Sequence, residues 1–428
     1  MNYINSNLVN RWLTDFKSAI SKGFLYIVLS GVLNKGILFF YSFILIRVLS
    51  KESFGSLTYA QNILNLALLL QGFGVGVGIL QYCSLAKTEN DRYSYMRYGL
   101  KIGFNFNIII SALTILIAVY IPLPVPLSNE YLLYLSLFPL LSVIVEAFIS
   151  YIRACLKNKM YSILTVSNSV LLLISAVIGS KLFDVKGVII GRYVAYALSI
   201  LLVCYLLISE VKFFWGEINL TYKNRMSFLK FSVTSMLTNS MSSILYLLDT
   251  LIIGIVFKEA SIIANYKVAT IIPFNLSFIP STVMMFMYPY FAKNISNKNW
   301  IRKNSIKIVE YFAVLNFMLC FFLFVFAESI LTILFGQQYS SSSDIFRVLV
   351  IGFFIAGTFR VPSGNILASI GKIKVNFINS IISGVVNILL DIVLIYIYGA
   401  IGAAFATALT FFISSFISTT YLFYYLKK

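Results

Sequence analysis

FLYIVLSGVLNKGILFFYSFILIR, Phe24 to Arg47, is an almost unbroken apolar stretch with a lysine, Lys35, at its middle. At about 1.5 Å per residue a helix of this length crosses the roughly 30 Å hydrocarbon core and leaves Lys35 near the midplane. An ammonium there costs from about 2.5 to well over 10 kcal/mol, depending on the water and partners that reach it. At helical spacing Gly31, Asn34, Lys35, Tyr41 and Ser42 fall on one side, while Phe24, Leu25, Val28, Phe39, Phe40 and Phe43 cover most of the rest. The first helix is therefore expected to turn a polar, cationic face to the protein interior.

Composition extends this reading to the whole chain. Of 428 residues, 60% are hydrophobic and 11% charged, where soluble domains carry about 25% charged residues. An all-α, polytopic membrane protein is predicted, with spans near 24–46, 57–80, 100–121, 130–152, 162–183, 187–209, 230–256, 262–290, 307–327, 341–369, 373–397 and 400–425. Residues 1–23 read as a cytoplasmic amphipathic lead-in without a signal-peptide cleavage site. The 33 Lys and Arg against 15 Asp and Glu do not indicate nucleic acid, because their positions are topogenic. Most cations fall on one side of the spans, and only Arg47, Lys51, Lys181, Lys186 and Lys258 fall on the other. The positive-inside rule then puts both termini in the cytoplasm. Lys35, Arg192, Lys267, Arg347 and Arg360 remain inside spans.

Histidine is absent, which removes His-dependent triads and the commonest metal ligand. Cys83, Cys155, Cys204 and Cys320 share no short spacing and read as small apolar residues. No metal or cofactor is expected. No connection is long enough for a folded domain outside the membrane.

The chain repeats itself. RVLSKESFGSLTYA (Arg47 to Ala60) lines up with IVFKEASIIANYK (Ile255 to Lys267), YIRACLKNKMYSIL resembles GNILASIGKIKVNFI, and the turn containing Gly187 matches the one containing Gly402. The prediction is two pseudo-symmetric six-helix lobes, 24–215 and 216–428, with a seam between Glu210 and Arg225. Six is even, so the repeats are parallel, an arrangement suited to alternating access across a central cleft.

Two polar stripes follow helical spacing: Ser235, Thr238, Asn239, Ser242, Tyr246 and Asp249 in the seventh span, and Asn376, Ser380, Ser383, Asn387 and Asp391 in the eleventh. Any single Ser or Asn there can serve only interhelical hydrogen bonding. Lys35 and Arg360, near mid-depth, are candidate binding groups, or else ion-pair partners of Glu146, Asp249 or Asp391. Arg192, Lys267 and Arg347 lie farther out, where they can snorkel. Glu146, Asp249 and Asp391 are candidate carriers of a coupling proton or sodium ion. The run QGFGVGVGIL lacks the Lys-Ser/Thr of a phosphate loop and is expected to permit close packing or bending. Pro273, Pro280 and Pro289 interrupt the eighth span.

These motifs resemble the polysaccharide-unit (O-antigen type) flippases of the multidrug/oligosaccharidyl-lipid/polysaccharide exporter superfamily, from Gly23 to about Phe416. The resemblance rests on RVLSKESFGSLTYA, on ANYKVATIIPF in the eighth span, on PSGNILASIGKIKVNFINSIISGVVNILLDIVLI, and on YGAIGAAFATALT. It implies a twelve-helix, two-lobed transporter in the bacterial cytoplasmic membrane. Its cargo would be an undecaprenyl-pyrophosphate-linked oligosaccharide unit for O-antigen or capsule, its drive an ion gradient, and a polysaccharide polymerase a possible partner. Lys35 and Arg360 would hold the pyrophosphate, Arg192 and Lys267 would receive it on the outer side, and Asn34, Asn239 and Tyr246 would face sugars. A drug/cation antiporter of the same superfamily would need a cleft dominated by carboxylates. A polymerase or glycosyltransferase would need a long catalytic loop. A purely structural assembly partner would leave Lys35 without a purpose.

Overall fold

The computed structural model describes residues 24–211 and 216–427; the lead-in over 1–23 and part of the expected seam lie outside the described residues. Hydrocarbon offers no hydrogen bonds, so each spanning segment must satisfy its own backbone. Every described element is accordingly helical. In order they are α1 (Phe24–Val48), α2 (Lys51–Leu68), a 3-10 turn (Gln71–Gly74), α3 (Val75–Leu85), α4 (Glu89–Tyr120), α5 (Ser128–Leu135), α6 (Phe138–Ala154) and α7 (Asn158–Leu206), followed by the single turn Ile208–Val211. The second half contains α8 (Tyr222–Ser243), α9 (Leu245–Phe257), α10 (Ala260–Leu276), α11 (Phe278–Lys293), α12 (Lys298–Val325), α13 (Ala327–Phe335), a 3-10 turn (Gln337–Ser342), α14 (Ser343–Ile355), a π segment (Ala356–Arg360), α15 (Val361–Ser369), α16 (Ile373–Tyr398) and α17 (Ala400–Lys427).

Among the described residues nine helices are long and apolar enough to cross a membrane, ten if the bent pair α5–α6 is one span. Two of the twelve expected spans are contained in α7, whose 49 residues break at Phe183 and Asp184. The chain doubles back there. A Cβ on Gly187 would overlap the Gly179 carbonyl, and one on Gly191 would come within 2.6 Å of the Ser175 carbonyl oxygen. The seventh expected span is α8 and α9 joined at Ile244. Twelve spans are thus compatible with the helices described.

The internal repeat is visible in backbone detail. Leu156 (φ 56) and Gly371 (φ +76) both end a helix in the left-handed region. After each, the lysine N–H closes the turn, Lys157 onto the Ile152 carbonyl at 3.1 Å and Lys372 onto the Leu367 carbonyl at 2.8 Å. One offset of 215 residues relates 156 to 371 and also relates Gly187, packed on Gly179, to Gly402, whose Cβ would overlap the Leu394 carbonyl. The Gly371-Lys372 pair is therefore a helix-ending turn.

The chain forms two compact units. One comprises the chain to Val48, Leu70–Tyr120 and Leu133–Leu237; the other comprises Leu49–Leu69, Ile121–Leu132 and Thr238 onward. In the first unit α3, α4, α6 and α7 share a core that includes Ile79, Met96, Val143, Ala147, Ile152 and Leu164, all buried. Here α1 packs along α7, with Ser162 donating to the Tyr26 carbonyl at 2.8 Å. The glycine run breaks the second span, since Gly72, Phe73 and Gly74 are left-handed. The freed Gly72 N–H is taken up by Asn107 Oδ1 at 2.7 Å, while Asn107 Nδ2 donates to the Pro139 carbonyl at 2.6 Å. In the second unit α2 starts at an N-cap, Ser50, which accepts from the Ser53 N–H at 3.1 Å. A Cβ on Gly55 would overlap the Ala260 carbonyl, so α2 and α10 cross backbone to backbone. The eighth span divides at Ser277 into α10 and α11.

The two kinds of glycine should respond differently to substitution. Gly187→Val is expected to destabilise the folded protein by about 1–3 kcal/mol by overpacking. Gly36→Ala, where a Cβ meets nothing within 4 Å, should leave the detergent-solubilised melting temperature unchanged; thermal unfolding followed by size-exclusion chromatography measures both.

Candidate functional site

The second unit concentrates polar chemistry where the sequence is most apolar. Along α16, Asn379, Ser383, Asn387 and Asp391 recur every four residues and are all buried. This stripe differs from the one expected in that Asn379 joins it, while Asn376 turns to donate to the Gly364 carbonyl at 2.8 Å. Asp391 and Asn387 adjoin Asp249 of α9. Tyr266 of α10 donates its hydroxyl to Asp249 Oδ2, and Thr407 of α17 donates to the same oxygen at 2.7 Å. The other oxygens are unsatisfied: Asp249 Oδ1, both Asp391 oxygens and Asn387 Oδ1 are buried without a hydrogen-bond partner. Carboxylates and amide oxygens only accept, so this cluster has room for positive charge, a proton or a cation. Two neighbouring buried carboxylates cannot both remain ionised without it.

Arg360 borders the same cluster. It ends the π segment, a geometry that in a spanning helix re-aims side chains and is frequent at functional sites. Asp249, Asn387, Thr407 and Thr410 line a small pocket together with Arg360, Phe274 and Phe411. Arg360 also lines a cavity of about 640 Å³ with Asn365, Asn376, Ser277, Ser281 and the rings of Phe274, Phe353 and Phe411. Its guanidinium stands 5.5 Å from the Phe411 ring centroid. Among the described residues it forms no ion pair.

The structure thus brings Asp249 together with Asp391 and, in the small pocket, with Arg360. Lys267 and Asn239 belong to the same unit and are exposed, and the Tyr246 side chain lies outside the described residues. The remaining candidates belong to the first unit. Lys35 is exposed on α1, while its neighbour Asn34 accepts from Ser169 of α7. Arg192 lies 4.9 Å over the Phe138 ring. Glu146 accepts from Gln71, at the glycine break, and Gln71 Oε1 accepts from Ser142 at 3.2 Å. Arg347 pairs with Asp344 at 2.7 Å, an i, i+3 contact at the start of α14.

Several residues of the cluster escaped the sequence reading. Tyr266 was visible only as the repeat partner of Tyr59 and as part of ANYKVATIIPF, and Thr407 only as part of YGAIGAAFATALT. Their hydroxyls reach Asp249 from helices 17 and 158 residues away in sequence. No local spacing announces such a convergence. Asn365 and the Phe274 and Phe411 rings have the same origin.

These features define a multi-pass α-helical membrane protein with a polar site built into apolar helices. The chain belongs to the family described as "Polysaccharide biosynthesis protein", whose profile matches residues 44–344. A relative from Haloferax volcanii, "Probable low-salt glycan biosynthesis flippase Agl15", is 26% identical over 206 residues, 47% of this chain and 43% of the relative. The chain therefore spans less than half the length of that protein. Among solved structures, a multidrug resistance MATE family transporter of the MOP superfamily in an inward-facing conformation aligns with TM-score 0.74 at 13% identity, over 92% of this chain and 93% of the other. Lipid II flippase MurJ in an inward closed conformation aligns with TM-score 0.73 at 18% identity, over 95% and 88%. At such identities the likeness is one of fold.

The repeat-matched tyrosines offer a test of the cluster. Tyr266→Phe withdraws a donor from a buried carboxylate and should cost about 1–3 kcal/mol of stability. Tyr59→Phe, on a ring packed against Gly254, should stay within about 0.5 kcal/mol of the parent. Denaturant titration of the purified protein reads the difference.

Proposed function

We propose that this protein is a flippase that carries an anionic lipid-linked oligosaccharide, of the undecaprenyl-pyrophosphate type, from the cytoplasmic to the outer leaflet for surface polysaccharide assembly. The observation that carries the reading is Arg360: a guanidinium with no carboxylate partner among the described residues, on the wall of a 640 Å³ cavity lined by amides, hydroxyls and aromatic rings. A pyrophosphate cannot enter hydrocarbon unassisted, and a guanidinium held where lipid is absent provides charge-assisted hydrogen bonds to it. Amide and hydroxyl groups beside aromatic rings suit sugars. Family membership and the glycan-flippase name of the Haloferax volcanii relative point the same way.

In this reading Lys35 is the cationic group of the first unit, with Arg192 and Lys267 receiving the headgroup toward the outer side. Asn34, Asn239 and Tyr246 contact sugars. The lobes 24–215 and 216–428 rock in alternating access, and the isoprenoid stays in lipid. No covalent bond is made or broken. The Asp249–Asp391 cluster, with four unsatisfied oxygens, holds the coupling ion, Na+ or H+. Asp249, Asp391, Asn387 and Thr407 supply the oxygen ligands, and Glu146 is a separate carboxylate of the first unit. The membrane is the bacterial cytoplasmic membrane, with both termini inside and a polysaccharide polymerase as the downstream partner.

The same carboxylates favour a second reading, a drug/cation antiporter, in which they bind cargo. Loss-of-charge variants separate the two. In cells lacking the native gene, Lys35→Ala and Arg360→Ala should each lower surface polysaccharide by more than about tenfold, the loss of one charge-assisted anion contact, and should accumulate lipid-linked units in the cytoplasmic leaflet. If both variants export normally while cationic-dye efflux falls in Asp249→Asn, the antiporter reading replaces this one.

A further inference from the structure

Three residues line both the large cavity and the carboxylate pocket, and of these Arg360 is the charged one, beside the Phe274 and Phe411 rings. Its described contact is the Phe411 ring, a weak hold worth about 0.5–2 kcal/mol. Beside it in the smaller pocket are Asp249 and Asn387, whose Oδ1 atoms are buried without a hydrogen-bond partner, and adjoining Asp249 is Asp391, with neither oxygen partnered. A guanidinium has five donors and no fixed claimant here, so it can be drawn by either side. A bare pair of carboxylates pulls it toward α9 and α16. An anion in the cavity pulls it the other way.

We propose that Arg360 is the coupling element of the second unit: positive charge arriving at Asp249 and Asp391 releases its guanidinium to bind a pyrophosphate in the adjoining cavity. The inference rests on the flippase reading above and adds the link between ion and cargo. Without a cation at the carboxylates, Arg360 neutralises them and its availability to the cavity is low. With the cation bound, the carboxylates no longer need it, and it turns to the anion over the Phe411 face. Arg360 ends the π segment, where the backbone hydrogen-bond register changes, and its swing is a side-chain rotation that leaves the helix intact. Other groups facing the cluster are uncharged partners, Tyr266 from α10 and Thr407 from α17, whose hydroxyls are already committed to Asp249 Oδ2. They leave Arg360 as the mobile charge. Linkage makes the effect reciprocal, so an anion in the cavity raises the affinity of the carboxylates for the cation by the same factor.

The repeat sharpens the assignment. At the 215-residue offset Arg360 corresponds to Val145, Asp391 to Ala176 and Thr407 to Arg192. The first half lacks the same three groups at the matching positions, so the linkage is specific to the second unit.

The experiment uses the full-length protein in nanodiscs and geranyl pyrophosphate as the probe, with affinity measured in choline buffer and in Na+ buffer of equal ionic strength. In the parent protein Na+ is expected to tighten binding about tenfold, a coupling of ordinary allosteric size. Asp391→Asn should bind at the tightened level in both buffers. Arg360→Gln should bind weakly in both, and Arg360→Lys should recover part of the affinity and of the Na+ response. If Asp391→Asn does not fold, the Na+ response of the parent and of Arg360→Lys still decides. An anion affinity that needs Arg360 but ignores both Na+ and Asp391→Asn overturns the coupling and leaves the cavity reading standing. An Arg360→Gln protein that binds the probe as the parent does overturns the cavity reading itself.

Discussion

The absence of any hydrogen-bonding solvent in the hydrocarbon governs this molecule at each level. It makes the described elements helical, because only a helix satisfies its own backbone along a single segment. It also explains why several departures from helix come with a replacement partner. The left-handed break at Gly72 to Gly74 is met by Asn107, which then reaches the Pro139 carbonyl. The Ser50 side chain caps α2, and Asn297 caps α12 by accepting from the Trp300 N–H at 3.0 Å. Among the described residues, a set of buried oxygens with no partner that belong to adjoining side chains marks a candidate site. Asp249, Asn387 and Asp391 form such a set.

The candidate site lies where the repeat is broken. The turns at Leu156 and Gly371 and the close crossings at Gly187 and Gly402 recur at one offset, because helix ends and close backbone approach admit few solutions. Lys157 and Lys372 recur with them at the turns, but the charges embedded in the spans do not. The first half carries Glu146 and Arg192 where the second has Val361 and Thr407, and the second carries Arg360 and Asp391 where the first has Val145 and Ala176. Each half therefore keeps the shared turns and close crossings and its own embedded charges. Arg192 over Phe138 and Arg360 over Phe411 both rest on aromatic faces. Of these two, only Arg360 borders the pocket of Asp249 and the large cavity of its unit.

Much of the fold was legible because hydropathy and period speak about single helices. The apolar helices, the internal repeat, the bend at QGFGVGVGIL and the eighth-span interruption near Pro273 and Pro280 all follow from local sequence. The site was legible only in part. Asp249 and Asp391 were marked by being acids inside apolar helices, and Arg360 by being a cation there. Their grouping was not marked, because residues on α9, α16 and the π segment meet through packing angles that no spacing encodes. Asn34 shows the reverse: a polar residue on the expected face of α1 is taken by Ser169 of α7, the ordinary interhelical bond that one sequence cannot tell from a binding group.

By itself the sequence determined that this is a helical membrane protein of two related halves, with charges embedded at Lys35, Glu146, Asp249, Arg360 and Asp391, since the cost of apolar surface in water and of charge in lipid depends on residue type and run length alone. Only the tertiary structure decided which of those charges share a neighbourhood. It placed Tyr266 and Thr407 on one oxygen of Asp249, left the remaining oxygens open, and set Arg360 between them and a cavity. The reason is that electrostatic interaction falls with distance in space, and distance in space is fixed by how helices pack and by nothing written within any one of them.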